Sequence, residues 1–278
     1  MPNHIVDYEV AGLHVARRRP DPGSTARPTP VLLVHGGLHG AWCWDDFTEY
    51  LSARGWDCHA LSWRGHGKSK PLPPEEALRR SIEDVAPDIE AVASGLQEPP
   101  IIIAHSMGAL ASLKYAERNR HAGMVLLTPG LPREATPDKL EVPTDPTQMW
   151  GPPPFELTKE LFFSGTDEEL ARRYYELLIP ESPRAVAQVT TEWSVTVDPV
   201  RISGPLLVLA AEHDALSDPA AVHRLARLLG ADYRYAAGFG HGVTLDRNWA
   251  DIAEMTHRWL CNIAGEGKGE PQREALVQ

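Results

Sequence analysis

Short apolar runs alternate along this chain with longer stretches in which apolar residues recur at helical spacing. Each run has the length of a strand, and its lack of polar positions is typical of strands buried on both faces of a parallel sheet. The runs predict strands at residues 31–35, 58–61, 100–104, 124–128 and 205–210. The segments between most of these strands indicate helices at residues 42–54, 75–96 and 107–119.

The same alternation resumes near the C-terminus, where the pattern predicts a helix at 219–229, a strand near 232–236 and a last helix at 247–263. Strands that alternate with helices in this way predict an α/β fold, with a mostly parallel central sheet flanked by helices. Residues 4–19 alternate apolar and polar positions around a glycine, which predicts a hairpin at the sheet edge. The proline-rich residues 20–30 then predict a loop.

The alternation is interrupted after the strand that ends at residue 128. Residues 129–154 are rich in proline and show no clear periodicity, and helical patterns then extend to about residue 194. Such an insertion predicts a helical cap over the C-terminal edge of the sheet, where open α/β sheets bind ligands. The expected organisation is a core, a cap, a second part of the core and a disordered polar tail. These parts comprise residues 1–128, 129–203, 204–264 and 265–278.

A serine comes directly after the third predicted strand and before a helix. In the segment IIIAHSMGALASLKY, the pattern small-x-Ser-x-Gly places Ser106 at a tight turn from strand to helix. Ala104 and Gly108 are small enough for neighbouring backbone to approach closely, and the helix N-terminus favours developing negative charge. Serine is also a common N-cap residue, so this short pattern alone leaves a structural role open. We predict that Ser106 is a nucleophile.

The first predicted strand ends in two glycines, within VLLVHGGLHGAWCW at residues 31–44. Glycine in this place lets a backbone N–H point into a cavity, and an oxyanion hole needs two donors aimed at one oxygen. We assign these donors to the backbone N–H groups of Gly37 and of Met107, the residue after Ser106. A phosphate-binding loop is disfavoured, because the segment matches neither GxxxxGK[ST] nor GxGxxG.

An acid and a base each follow a later strand. The segment PLLVLAAEHDALSDP places Asp214 just past a strand, and AAGFGHGVTLD places His241 in a glycine-rich loop after another. We predict that His241 is the general base and that Asp214 orients it. Glu212 and Asp218 are the nearest competitors for the role of the acid.

Together, these motifs resemble the α/β-hydrolase superfamily, over roughly residues 25–263, and their order Ser, Asp, His is the one expected there. The segment RGHGKS at residues 64–69 resembles the R-G-x-G-x-S loop of that family, although Trp63 stands where many members carry Asp. Because that loop is mainly structural, His66 is not expected to be catalytic. The segment HGGLHGAWCW is similar to the H-G-x-x-H-G-x-W-x-W segment of plant methylesterases and hydroxynitrile lyases.

The resemblance implies a carboxylesterase-like serine hydrolase that forms an acyl-enzyme and needs no metal or organic cofactor. The bond cleaved could be a carboxylester, a thioester or a lactone. Two alternatives stay open: the same triad could serve a lyase or cleave a carbon–carbon bond, or the fold could be a non-catalytic receptor for a small molecule. Hydroxynitrile lyases use a cationic lysine in the pocket, and the predicted cap contains only Lys139 and Lys159.

The substrate pocket is expected to draw on the aromatic residues of the predicted cap and of the loop after the first strand. At least half of these aromatic residues are expected to pack the cap onto the sheet, and the rest indicate an apolar acyl or ring-containing substrate. The predicted pocket residues are Leu38, Trp42, Trp150, Phe162, Phe163, Tyr174 and Trp193.

Charge and composition disfavour several classes of partner, and a small-molecule substrate is the expected partner. The net charge of -11 disfavours nucleic acid and anionic membranes as partners. No stretch approaches the ~18 apolar residues of a membrane span, and no secretory signal precedes the fold, so a cytoplasmic location is expected. The three cysteines lack metal-binding spacing, which predicts reduced thiols. Nothing in the sequence indicates the oligomeric state.

Overall fold

A computed structural model of the protein describes residues 5–136, 140 and 142–265. Within these residues, eight strands form one sheet in the order β1-β2-β4-β3-β5-β6-β7-β8. The strands are β1 (Val6–Val10), β2 (Leu13–Arg18), β3 (Val31–Val34), β4 (Cys58–Leu61), β5 (Ile101–His105), β6 (Gly123–Leu127), β7 (Leu206–Ala211) and β8 (Asp232–Ala236).

The strands β3 to β8 are all parallel, whereas β2 is antiparallel to β4 and β1 is antiparallel to β2. This arrangement confirms the predicted mostly parallel sheet, with the N-terminal hairpin at its edge. The chain leaves β3 for β4 on one side and later reaches β5 on the other side of β3. The loops after β3 and β5 therefore separate in opposite directions and open a crevice at the C-terminal ends of these strands, which is where ligands bind in such sheets.

Nine helices are described, and helices cover both faces of the sheet. Alternate residues of the buried strands face opposite sides, as the two-residue period of a strand requires. In β3, for example, Leu32 and Val34 pack against helices on one face of the sheet, whereas Val31 and Leu33 pack against helices on the other face. The helices are α1 (Asp45–Ser52), α2 (Pro74–Arg79), α3 (Ala86–Ala93), α4 (Ser106–Ala116), α5 (Phe155–Phe162), α6 (Glu168–Leu177), α7 (Pro183–Val189), α8 (Pro219–Leu229) and α9 (Trp249–Ile263).

The helix predicted at residues 75–96 is interrupted, and α2 and α3 take its place. Ser81 and Asp84 explain why a new helical segment begins there: the Asp84 carboxylate accepts from the Ser81 N–H at 2.8 Å, and the Ser81 hydroxyl accepts from the Asp84 N–H at 3.2 Å. This reciprocal capping satisfies two backbone donors that a continuous helix would have used internally. The side chain of Arg80 also bonds the buried Asp88.

The inserted segment, which we define as the chain between β6 and β7, carries α5, α6 and α7. Its helices α5 and α6 contact each other, and α7 contacts α2 of the core. The disorder predicted for residues 265–278 lies, apart from Gly265, outside the described residues. Among the described helices, none combines the length and apolar character needed to cross a membrane.

Candidate active site

Ser106 occupies a strained turn between β5 and α4. Its φ of +51° is a left-handed conformation that residues other than glycine seldom adopt. Two glycines make the turn possible by close packing. A Cβ on Gly36 would lie 2.9 Å from Ser106 Cβ, and one on Gly108 would lie 2.0 Å from the carbonyl oxygen of His35. The turn thereby brings Ser106 to the wall of a cavity.

His241 links Ser106 to Asp214. His241 Nε2 lies 2.8 Å from Ser106 Oγ, and His241 Nδ1 lies 2.9 Å from each carboxylate oxygen of Asp214. The side chains of His241 and Asp214 are almost wholly buried, so water competes little for these hydrogen bonds. The backbone N–H groups of Leu216 and Ser217 each donate to Asp214 Oδ1 at 2.8 Å, which fixes the carboxylate. With Nδ1–H donating to Asp214, Nε2 is the nitrogen that accepts from Ser106.

The two other candidates for the acid, Glu212 and Asp218, form hydrogen bonds with groups other than His241. Glu212 accepts a hydrogen bond of 2.7 Å from the N–H of Gly238. Asp218 caps α8 by accepting from the N–H of Ala221 at 2.8 Å. Asp214 is therefore the carboxylate that His241 contacts.

The loop that carries His241 packs tightly against the inserted segment. A Cβ on Gly240 would lie 2.1 Å from Ser164 Oγ, and one on Gly242 would lie 1.8 Å from the carbonyl oxygen of Phe162. On its other side, the carbonyl oxygen of His241 accepts a hydrogen bond of 3.0 Å from His105 Nε2. Glycines flank His241 because any side chain there would push the loop away from these neighbours.

The backbone after β3 is held by two histidines. His35 Nδ1 donates to the Gly36 carbonyl at 2.7 Å, and His39 Nδ1 donates to the Gly37 carbonyl at 2.6 Å. Burial lowers the pKa of His39 to about 4 and the pKa of His35 well below its usual value. Both rings are therefore neutral near pH 7, and each uses its single N–H to orient a peptide group.

Two backbone N–H groups beside Ser106 have no hydrogen-bond partner among the described residues. Met107 is the second residue of α4, and the first four N–H groups of a helix have no acceptor within the helix. The Gly37 N–H makes no hydrogen bond to another described residue. These residues are direct neighbours, since a Cβ on Gly37 would lie 2.3 Å from Met107 Sδ. Both line the same cavity as Ser106, as the donors of an oxyanion hole must.

A cavity of about 520 Å³ lies against Ser106 and His241. Most of its lining belongs to the inserted segment and is apolar. Among the described lining residues there is one carboxylate, Glu181, and neither lysine nor arginine. The apolar side chains of the inserted segment in this wall include Leu131, Leu140, Val142, Trp150, Leu157, Leu161, Phe162, Val186 and Val189.

Three of the predicted pocket residues line this cavity: Leu38, Trp150 and Phe162. The other four are absent from the described lining of this cavity, and their rings pack against protein instead. These residues are Trp42, Phe163, Tyr174 and Trp193.

These four rings pack between the inserted segment and the core. Trp42 stacks on Tyr174 with ring centroids 5.7 Å apart, and Phe163 contacts the same tyrosine at 5.8 Å. Trp193 is buried in the apolar cluster on the opposite face of the sheet. The bulk of these aromatic residues therefore stabilises packing, while aliphatic side chains form much of the cavity wall.

Sequence reasoning missed Glu181, the buried carboxylate in the cavity lining. It accepts hydrogen bonds from His66 Nε2 at 3.0 Å and from the N–H of Ser182 at 2.8 Å. Burial acts to raise the pKa of Glu181, but His66 and the N–H donors outweigh burial, and the net pKa is lowered. The local sequence offers only a weak signal, because Glu181 precedes Ser182 and Pro183, a common start of a helix.

Comparison with known proteins places the chain in a family. The model of the alpha/beta hydrolase family matches residues 31–255. The chain therefore belongs to the alpha/beta hydrolase family, and the resemblance inferred from its motifs is confirmed. A solved monoacylglycerol lipase from Paleococcus ferrophilus superposes with a TM-score of 0.67, at 23% identity over 90% of this chain and 99% of that one. At that identity the match supports the fold.

Curated relatives share part of the sequence. Protein phosphatase methylesterase 1 of Homo sapiens is 36% identical over 92 residues, which cover 32% of this chain and 24% of the relative. Methyl jasmonate esterase 1 of Vitis vinifera is 32% identical over 93 residues, or 33% of this chain and 35% of the relative. The chain thus matches about a quarter to a third of the length of these relatives.

Proposed function

We propose that this protein is a serine hydrolase that cleaves an ester-type bond of a small apolar substrate through an acyl-enzyme. One observation carries the proposal: an unbroken series of hydrogen bonds runs from Ser106 through His241 to Asp214 at the wall of an apolar cavity. Nucleophilic catalysis by serine needs a base within hydrogen-bond reach and a third group that orients the base.

In the proposed reaction, Ser106 Oγ attacks the substrate carbonyl carbon while its proton passes to His241 Nε2. The carbonyl electron pair moves onto oxygen, and Asp214 stabilises the imidazolium that forms. The tetrahedral intermediate collapses by breaking the ester bond, and the leaving alcohol takes the proton from His241. Water then attacks the acyl-enzyme by the same sequence of steps, which releases the acid and restores Ser106.

The negative oxygen of each tetrahedral intermediate would be bound by the N–H groups of Gly37 and Met107. Each such donor contributes about 2.7–4 kcal/mol of transition-state stabilisation in comparable sites. The triad and these two donors supply proton transfer and charge stabilisation by themselves, so the proposed mechanism uses no metal or organic cofactor.

The substrate is proposed to be uncharged and to bind beneath a cap formed by residues 129–203. This proposal is supported by the apolar side chains that the inserted segment contributes to the cavity around Ser106. Burying a substrate carboxylate among these groups beside Glu181 would cost several kcal/mol. The similarity to a protein phosphatase methylesterase and to a methyl jasmonate esterase favours a carboxylester over a thioester or a lactone.

A lyase reaction on the same triad receives no support from the cavity. Such lyases place a lysine ammonium beside the substrate, whereas Lys159 pairs with Glu168 at 3.6 Å and is absent from the described lining. Lys139 lies outside the described residues.

Covalent labelling tests the nucleophile without knowledge of the natural substrate. A fluorophosphonate probe forms a bond between Ser106 Oγ and phosphorus as fluoride leaves, and peptide mapping identifies the labelled residue. We expect one labelled site, its loss in Ser106→Ala, and hydrolysis of p-nitrophenyl esters by the unmodified protein. The control is Ser112→Ala in the same helix, which should keep both activities. Labelling elsewhere, or ester hydrolysis by a folded Ser106→Ala protein, would refute the proposed nucleophile.

A further inference from the structure

The inserted segment makes two hydrogen bonds with Leu38 in the loop after β3. The N–H of Leu38 donates to Glu181 Oε2 at 3.3 Å, and the carbonyl of Leu38 accepts from the N–H of Ile179 at 3.0 Å. Leu38 has a φ of +67°, which is unfavourable for a branched side chain. Glu181 Oε2 would also lie 3.5 Å from a Cβ on Gly37. Glu181 and Ile179 thus hold a strained residue directly after the proposed oxyanion donor.

All but one of the polar groups in the two peptides around Gly37 form hydrogen bonds with described residues. The Gly36 carbonyl is bound by His35, and the Gly37 carbonyl is bound by His39. The N–H of the Gly37–Leu38 peptide is bound by Glu181. The remaining polar group of these two peptides is the Gly37 N–H, which has no described partner. Three side chains therefore fix the planes of both peptides and leave one donor unoccupied.

We propose that Glu181 is a positioning residue that completes the oxyanion hole. By holding the Leu38 N–H, its carboxylate fixes the Gly37–Leu38 peptide, which shares the Gly37 Cα with the peptide that carries the Gly37 N–H. Glu181 thereby holds Gly37 in place, while His35 holds the peptide plane of its N–H. This inference rests on the proposed function, and it adds that the inserted segment contributes to transition-state stabilisation as well as to the cavity wall.

His66 holds the carboxylate in the required orientation. Its Nε2 contacts the same oxygen, Glu181 Oε2, that accepts from Leu38, while the other oxygen accepts from Ser182. His66 follows β4 in the core, so the pair joins the core to the inserted segment. Within the described residues His66 contacts neither Ser106 nor His241 by hydrogen bond, which makes its role indirect.

The position of Glu181 also connects the oxyanion loop to the substrate cavity. Its backbone forms two hydrogen bonds with Trp150, at 2.8 and 2.9 Å, and Trp150 lines the cavity. A substrate in contact with Trp150 therefore touches the residue whose backbone pairs with Glu181, and the Glu181 carboxylate in turn binds the Leu38 N–H. An oxyanion donor arranged in this way depends on a correctly docked inserted segment.

The test uses Glu181→Ala and Glu181→Gln in the full-length protein, with p-nitrophenyl acetate as the substrate. Misdirecting one oxyanion donor should lower kcat by roughly tenfold to a thousandfold, with little change in KM, because the interaction exists only in the transition state. Glu181→Gln retains a carbonyl oxygen that accepts from Leu38, so its loss should be smaller than that of Glu181→Ala. His66→Gln should also lower kcat.

A transition-state analogue distinguishes positioning from a purely structural role. The inhibition constant of a trifluoromethyl ketone, which binds as a tetrahedral oxyanion, should weaken across the variants by the same factor as kcat/KM. The control is Glu192→Gln, which makes the same charge change at an exposed site of the inserted segment and should leave both values unaltered. If Glu181→Ala does not fold, Glu181→Gln and His66→Gln still test the proposal.

Two results would overturn the inference. The first is unchanged kcat in the folded Glu181 variants, and the second is loss of activity without matching loss of analogue affinity. Fluorophosphonate labelling separates this failure from failure of the proposed function. If Ser106 is labelled in the unmodified protein while the Glu181 variants keep full kcat, the nucleophile stands and the positioning role does not.

Discussion

The hydroxyl of Thr128 donates a hydrogen bond of 2.9 Å to the carbonyl oxygen of His241. Thr128 is fully buried and directly follows β6, with a φ of +39°. The end of one central strand therefore anchors the backbone of the proposed general base. This contact joins two chain segments 113 residues apart, and it acts on the loop rather than on the imidazole ring.

We expect Thr128→Val to lower kcat by roughly tenfold, because small displacements of a catalytic group have large effects on rate. The loss in the free energy of unfolding should be near 1 kcal/mol, since one hydrogen bond is removed and His105 still donates to the same carbonyl. Ester hydrolysis and urea unfolding measure the two effects. Thr136→Val, whose hydroxyl bonds only a local carbonyl, is the control. Equal kcat in both variants would show that the anchor has no influence on His241.

Asp214→Asn should reduce kcat by about 10⁴-fold while the protein stays folded. An amide that donates to Nδ1 stabilises the tautomer in which Nε2 carries the proton and so no longer accepts one from Ser106. Glu212→Gln is a matched control, because it neutralises the nearest competing carboxylate and should retain activity. Steady-state hydrolysis of p-nitrophenyl acetate compares the two. A large loss in Glu212→Gln with little loss in Asp214→Asn would reverse the assignment.

The neighbouring residues Phe162 and Phe163 should respond differently to truncation. Phe162 lines the cavity and lies edge-on to His241, with ring centroids 5.9 Å apart, whereas Phe163 is buried away from the cavity. Phe162→Ala should therefore change kcat/KM more for long acyl chains than for acetate. Phe163→Ala should lower the free energy of unfolding by about 3–5 kcal/mol and leave the ratio between chain lengths unchanged.

A series of p-nitrophenyl esters from acetate to octanoate, measured beside urea unfolding, tests both variants. Parallel changes in selectivity for the two variants would mean that cavity shape depends on general packing in α5. Equal losses at every chain length for Phe162→Ala would remove Phe162 from the acyl-binding wall.

The stability of the protein should decline as the pH falls below about 6.5. Burial lowers the pKa of His39 to about 4, and it lowers the pKa values of His35 and His105 still more clearly. Below the unfolded-state pKa of about 6.5, the unfolded chain binds protons that the folded protein excludes, so acid favours unfolding. The contribution of each histidine is complete above that pH and is lost as the pH drops towards its folded-state pKa.

Each such histidine contributes a slope of up to about 1.4 kcal/mol per pH unit. Urea unfolding at pH 7.5, 6.5, 5.5 and 4.5 should show a steep decline. A decline of equal steepness in His39→Gln would mean that His39 is not kept neutral by the fold.

Much of the architecture is encoded locally in the sequence. Strands buried on both faces leave continuous apolar runs, so β3 to β7 were predictable, and small residues around Ser106 indicate the tight turn that a strand-to-helix junction requires. Asp214 and His241 could be proposed because each follows a strand whose C-terminal end must lie at the same edge of the sheet. The break between α2 and α3 was missed, because the capping by Ser81 and Asp84 competes with a helical pattern that continues through it.

Which side chains meet depends on the tertiary fold. Sequence pattern places three carboxylates near one strand end, and it places Phe162 and Phe163 next to each other at the end of a helical segment. It did not determine that Asp214 contacts His241, or that Phe162 lines the cavity while Phe163 is buried in the core. Glu181 is the clearest case, since it contacts Leu38 across 143 residues of chain. A local sequence pattern indicates secondary-structure propensity and burial. Contacts between distant residues depend on how separate segments dock, and the periodicity of the sequence does not encode that docking.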